Sequence, residues 1–154
     1  NLIGSDFDDK LTGNAQNNVL QGGQGDDILT GGGGSDTFVW GKGETGHDIV
    51  TDFQGGQDTL DLSQLLQGLG ATGNSLENLL SFKVTGSGSE LTSTIEVGSL
   101  ANGSAAQSID LLHYDITSKY GISAGADGYV AGGQDTASLI TQMVSDHSLK
   151  VDTV

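Results

Sequence analysis

The chain has 154 residues, twenty-six of them glycine, and neither proline nor cysteine. Five lysines, with no arginine, stand against twenty Asp or Glu, a formal charge of −15. That balance excludes nucleic acid and anionic membrane as partners, since both need cationic patches, and it favours cations. Without cysteine no disulfide can staple the chain, so outside the cell its stability must come from another source.

The first elements are repeats. In register every nine residues the chain reads Gly4-Ser-Asp-Phe-Asp-Asp-Lys-Leu-Thr12, then Gly13-Asn-Ala-Gln-Asn-Asn-Val-Leu-Gln21. It continues as Gly22-Gly-Gln-Gly-Asp-Asp-Ile-Leu-Thr30 and Gly31-Gly-Gly-Gly-Ser-Asp-Thr-Phe-Val39. The sixth position of each unit is Asp9, Asn18, Asp27 or Asp36, and the eighth is Leu11, Leu20, Leu29 or Phe38. Leu2 fits the same apolar place in a truncated preceding unit. The leading glycines permit a tight turn, and the last three residues form a short strand with one apolar side chain inward. Two units make one coil, so alternate units stack. Asp9 then pairs with Asp27 on one edge, and Asn18 with Asp36 on the other. Calcium takes six to eight oxygens from carboxylates and carbonyls. The backbone carbonyls expected to complete each shell are those of Gly4, Gly22, Gly23, Gln24, Gly25, Gly31, Gly32, Gly33 and Gly34. A flexible Gly-rich linker has no reason to hold an apolar residue at every eighth position.

These units resemble the repeats-in-toxin (RTX) calcium repeat, which forms a parallel β-roll. Units three and four follow its pattern. Unit one departs at Ser5 and Phe7, and unit two at Asn14, Gln16 and Asn18, so the Asn18–Asp36 edge is expected to bind calcium more weakly.

Asp36-Thr-Phe-Val-Trp40, Asp48-Ile-Val-Thr-Asp-Phe53 and Asp58-Thr-Leu-Asp-Leu-Ser63 extend the roll into further strands. This stretch resembles the segment that follows the repeats in proteins exported by type I secretion. Asp48, Asp52 and Asp58 are candidate ligands for one more calcium at the end of the roll, or else solvated strand-edge carboxylates. Short helices are expected at 63–67 and 75–80, each opened by a serine that can cap. Phe82 to Thr85 and Leu91 to Val97 read as a hairpin about Gly86-Ser-Gly-Ser89, and Ile109 to Tyr114 as a strand. The Gly- and Ala-rich stretch 120–134 reads as a long surface loop. Asp135 or Thr136 then caps a helix running to about Ser145, with Leu139, Ile140, Met143 and Val144 on one face. A strand from Leu149 to Val151 ends the pattern.

The expected fold is all-β: a calcium-bound parallel β-roll over 1–62, continuing into a β-rich capping and type I secretion signal region over 63–154, with a few short helices. Two motifs look catalytic. Gly121-Ile-Ser-Ala-Gly125, with His147 downstream, mimics a nucleophile elbow, but the flanking Gly-Ala-Asp-Gly is loop chemistry rather than a helix start. Gly41-Lys-Gly-Glu-Thr-Gly46 mimics a dinucleotide loop but lacks a following helix. His47, His113 and His147 lack zinc-ligand spacing. Asn102-Gly-Ser104 fits a glycosylation acceptor.

No apolar run approaches the length of a membrane span, and no signal peptide is recognisable. The chain opens inside a repeat, so we expect it to be part of a longer polypeptide. The layout resembles the C-terminal module of large RTX adhesins, a group that includes ice-binding adhesins. That resemblance implies a non-catalytic, monomeric module binding several calcium ions, secreted to the cell surface by type I machinery that engages its C-terminus. Two other classes remain open at this stage: the tail of an RTX lipase or protease, and an adhesive domain whose calcium also binds a ligand.

Overall fold

The computed structural model describes residues 1–68, 76–98, 106–130 and 134–151. Ser75 and the Asn102-Gly-Ser104 motif lie outside the described residues. Seven short strands wind first: β1 (Leu2–Ile3), β2 (Lys10–Thr12), β3 (Val19–Gln21), β4 (Ile28–Thr30), β5 (Thr37–Val39), β6 (Gly46–Val50) and β7 (Thr59–Asp61). Odd and even strands fall in different sheets, because each Gly-rich turn carries the chain from one sheet to the other. Within each sheet the pairing is parallel: Leu20 lies beside Leu2 and Phe38, and Leu29 beside Leu11 and Val50. The single inward side chain of each strand therefore stacks on its own kind. Leu20, Leu29, Phe38, Val50 and Leu60 are fully buried, while Leu2 and Leu11 pack against this core and are partly buried.

The remaining elements are α1 (Ser63–Gly68), α2 (Leu76–Leu79), β8 (Leu80–Thr85), β9 (Thr92–Val97), β10 (Gln107–Leu112), α3 (Ile116–Tyr120), α4 (Gln134–Ser145) and β11 (Leu149–Lys150). Neither sheet stops at residue 62. β10 pairs in parallel with β6, and β9 and β8 follow it antiparallel, giving the order β2-β4-β6-β10-β9-β8. In the other sheet β11 pairs in parallel with β7, putting Leu149 opposite Leu60. The architecture is thus mostly β, a parallel β-roll with a few short helices.

Five expectations shift. α3 is an element the sequence reading omitted; Asp115 caps it by accepting from the Thr117 and Ser118 N–H groups, and Gly121 ends it at φ 65°. β10 stops at Leu112, because His113 takes a left-handed conformation (φ 58°) that no strand can hold. α4 begins at Gln134, so Asp135 sits inside its first turn, where a negative charge suits the helix dipole. Leu139, Ile140 and Met143 are buried as expected, whereas Val144 is 41 % exposed. Within the Gly-rich stretch, residues 128–130 are docked rather than free. Val130 is buried and donates its N–H to the Phe82 carbonyl, and Val84 donates to Gly128, so this segment lines the β8 edge.

Candidate metal centre

The turns of the roll stack along two edges. On the first, formed by turns 4–9, 22–27 and 40–48, the Asp9 N–H donates to Asp27 Oδ1 (2.9 Å) and the Asp27 N–H donates to Asp48 Oδ1 (2.8 Å). On the second, the Asn18 N–H donates to Asp36 Oδ1 (2.8 Å) and the Asp36 N–H to Asp58 Oδ1 (2.9 Å). Each edge is therefore a ladder in which one coil's side chain holds the previous coil's backbone. The structure brings Asp9 to Asp27 and Asn18 to Asp36, and it extends each ladder by one acid from the segment after the repeats.

Asp48, Asp52 and Asp58 do not meet. Asp48 lies on the first edge, where its Oδ2 accepts from Trp40 Nε1 (2.6 Å) and Gln107 Nε2 (2.8 Å). Asp52 and Asp58 lie on the second edge. Asp52 accepts from the Gly31 and Gly32 N–H groups, and Asp58 Oδ2 from the Gln54 N–H. A single calcium shared by all three does not fit this geometry. The last coil is longer than its predecessors, with ladder steps of 21 and 22 residues in place of 18, which is why the nine-residue register could not assign these acids to edges.

The glycines explain how oxygen is concentrated here. A Cβ on Gly4 would collide with the Gly22 carbonyl and Asp9 Oδ2, one on Gly13 with the Gly31 carbonyl and Asn18 Oδ1, and one on Gly46 with the Gly25 carbonyl. On Gly22 and Gly31 it would strike the Oδ2 of Asp27 and Asp36. Gly23 and Gly32 adopt φ 109° and 103°, and a Cβ on either would strike the Ser5 or Asn14 carbonyl. Gly25 and Gly34 pack over the backbones of 7–8 and 16–17, and Gly33 has room for a side chain. Gln24 ties its turn to the next, with Nε2 donating to the Gly43 carbonyl (2.9 Å).

Charge is the unresolved quantity. Asp27, Asp36, Asp48 and Asp58 are all buried, and Asp27 Oδ2 has no hydrogen-bond partner among the described residues. Burial pushes Asp27 and Asp58 above the usual carboxylate range, against the hydrogen bonds from Asp9 and Asp36, and neighbouring acids add to the rise. Asp48 is pushed up to about 6, mainly by burial. An uncompensated buried carboxylate costs on the order of several kcal/mol, so this row of acids is stable only with protons or cations among them. Among the described residues no three carboxylate or imidazole side chains converge on one point. A cation here must draw on backbone carbonyls as well as carboxylates. That donor set suits a hard oxygen-seeking ion such as calcium, and not zinc.

The catalytic look-alikes find no support in their surroundings. Ser123 sits exposed on the loop beyond α3, and the 41–46 turn leads into β6 rather than a helix. His47 pairs with Asp110 (2.8 Å), while His113 and His147 both occupy positive-φ turns.

A parallel β-roll with glycine turns and carboxylate ladders is the architecture of a calcium-binding repeat module. Residues 3–38 match the RTX calcium-binding nonapeptide repeat in four copies. No curated protein matches the chain. Among solved structures it is similar to the solution structure of the AlgE6R3 subunit from the Azotobacter vinelandii mannuronan C5-epimerase, at 25% identity and TM-score 0.34, covering 71% of this chain and 72% of that one. It is also similar to the AlgE6R2 subunit of the same enzyme at 25% identity and TM-score 0.34, covering 73% and 84%. Among the described residues no helix is long and apolar enough to cross a membrane.

Proposed function

We propose that this chain is a non-catalytic module that folds on calcium and serves type I export at the C-terminal end of a large secreted RTX protein, an adhesin at the cell surface. The observation that carries the reading is the buried Asp27 carboxylate, whose Oδ2 has no hydrogen-bond partner among the described residues, within a ladder of like charges. Asp9 and Asp27 hold the ion on the first edge, and Asn18 and Asp36 hold it on the second, with turn carbonyls completing each shell. Bound calcium supplies the positive charge that this chain, with five lysines, lacks. Where calcium is scarce, the clustered aspartates repel and the two- and three-residue roll strands bury too little to offset chain entropy. The chain then stays extended, which suits a narrow export channel. At about 1 mM calcium, a site with a dissociation constant of ~10⁻⁴ M contributes about 1.4 kcal/mol. Several such sites decide the fate of a marginal domain.

Circular dichroism tests the first half. The chain is expected to gain β structure on adding calcium to an EDTA-treated sample, and an identical folded spectrum in EDTA would refute calcium-dependent folding. The export half is tested by deleting residues after Gln134 and following secretion of a fused passenger. Secretion should be lost, and normal secretion removes the C-terminal signal assignment.

A further inference from the structure

The fifth turn breaks the repeat and yet keeps both of its functions. In each nonapeptide unit, one residue both accepts a ladder hydrogen bond or donates its N–H to it and presses an oxygen against its own leading glycine. Asp9 faces Gly4, Asn18 faces Gly13, Asp27 faces Gly22 and Asp36 faces Gly31. In the fifth turn Asp48 takes the ladder bond, but its Oδ2 is drawn away to Trp40 and Gln107. The side chain that faces the leading glycine is Glu44: a Cβ on Gly41 would meet Glu44 Oε1 and Gln21 Nε2. The longer turn has divided one aspartate's work between two acids.

Glu44 is built in rather than draped over the surface. It is 7 % exposed, and Oε1 accepts from Gln21 Nε2 (2.6 Å). Gln21 adjoins Gly22, the glycine against which Asp27 Oδ2 rests. Glu44 Oε2 is buried with no hydrogen-bond partner among the described residues, as is Asp27 Oδ2 one coil below. Neither acid has a Lys or His partner among the described residues. A third unpartnered buried oxygen, Gln107 Oε1, belongs to the β10 side chain that grips Asp48. Two consecutive turns on one edge thus each present a buried carboxylate oxygen that no described residue neutralises.

We infer that Glu44, an acid outside the nonapeptide pattern, is a ligand of a further calcium site between turns 22–27 and 40–48, opposite Asp27. The site rests on the calcium reading given above and adds to it a place and a residue. It lies where the roll meets β10, so occupancy there locks the roll to the strands that cover its end.

The only tryptophan of the chain, Trp40, donates to Asp48 beside this site. Terbium, a luminescent stand-in for calcium, is sensitised by indole only at short range, so emission excited through tryptophan reports this position. The wild-type chain should show strong sensitised emission that calcium displaces, and calorimetry should count one calcium fewer in Glu44→Gln. The amide of that variant keeps an acceptor for Gln21 and loses only the charge. Its sensitised emission should fall several-fold while the other calcium sites stay filled. Unchanged stoichiometry and emission in Glu44→Gln overturn the assignment and leave the calcium reading intact. Should Glu44→Gln fail to fold, the wild-type emission decides: a calcium-loaded, folded wild type without Trp-sensitised terbium emission also overturns it. A wild type that binds no calcium at all defeats the underlying reading instead.

Discussion

In the first-edge ladder each carboxylate Oδ1 accepts the N–H of the acid one coil earlier, so Asp27 is held from both sides: it accepts from Asp9 and donates to Asp48. Its other oxygen is buried without a partner among the described residues. Asp27→Asn separates these roles, because the amide oxygen still accepts the Asp9 N–H while the charge disappears. In EDTA the variant should stay as open as wild type, since removing one charge leaves the rest of the ladder without a cation. In ~1 mM calcium it should be less stable by at least about 1.4 kcal/mol, the value of one weak site. Thermal or urea melts in calcium test this, and a variant as stable as wild type there would show that Asp27 is only a structural acid. At this scale the nine-residue register made the Asp9–Asp27 and Asn18–Asp36 pairs legible. It could not reach Glu44, because the insertion in the fifth turn hides which residue faces the leading glycine until the backbone is seen.

At the scale of elements, the acids of the two turn ladders and three acids outside those ladders titrate in opposite directions. Asp27, Asp48 and Asp58 are raised by burial. Burial also pulls on Asp61, Asp115 and Asp146, but hydrogen bonds from Ser63 and Lys150, from Thr117 and Ser118, and from Ser148 and Tyr120 outweigh it and lower all three. The signs follow from linkage. Asp48 sits at about 6 in the fold and near 4 when unfolded, so the metal-free roll binds protons more tightly than the open chain. It is stabilised below about pH 4 and loses that contribution as pH rises through about 6. The three lowered acids contribute fully above about pH 4, and that contribution fades as pH falls through their folded values. In EDTA the chain should therefore gain β structure by circular dichroism as pH falls from about 7 to about 5, and Asp48→Asn should flatten that difference. An unchanged slope in Asp48→Asn would assign it to net charge alone. The elements themselves were largely readable from apolar spacing, as α1, the β8–β9 hairpin and α4 show. α3 was missed although Asp115 and Gly121 bracket it, because its five residues are too short for a periodic apolar face.

The whole molecule closes through pairings that span most of its length. Leu149 lies against Leu60, and Lys150 against Asp61 with a 2.9 Å ion pair, so β7 gains its outer neighbour only when the C-terminus arrives. β10 likewise covers β6 from sixty-odd residues away. Pairing at this distance leaves no periodic trace, which is why the sequence indicated a covering region but not that its strands extend the sheets of the roll. It also makes folding cooperative in calcium. With a formal charge of −15 and no neutralising cation, the roll turns repel, and without the roll β11 has no edge to join and β10 keeps only its pairing with β9. The chain should therefore collapse as a unit. For a chain of this length the radius of gyration is about 15 Å when compact and about 41 Å when unfolded. Small-angle scattering during a calcium titration should pass between these limits in one transition, coincident with the circular dichroism signal. Raising sodium chloride alone should shrink the metal-free chain only modestly, because screening removes repulsion without filling the buried oxygens. A compact intermediate at low calcium, with the covering strands formed and the roll open, would mean that the C-terminal region folds on its own and that calcium orders the repeats afterwards.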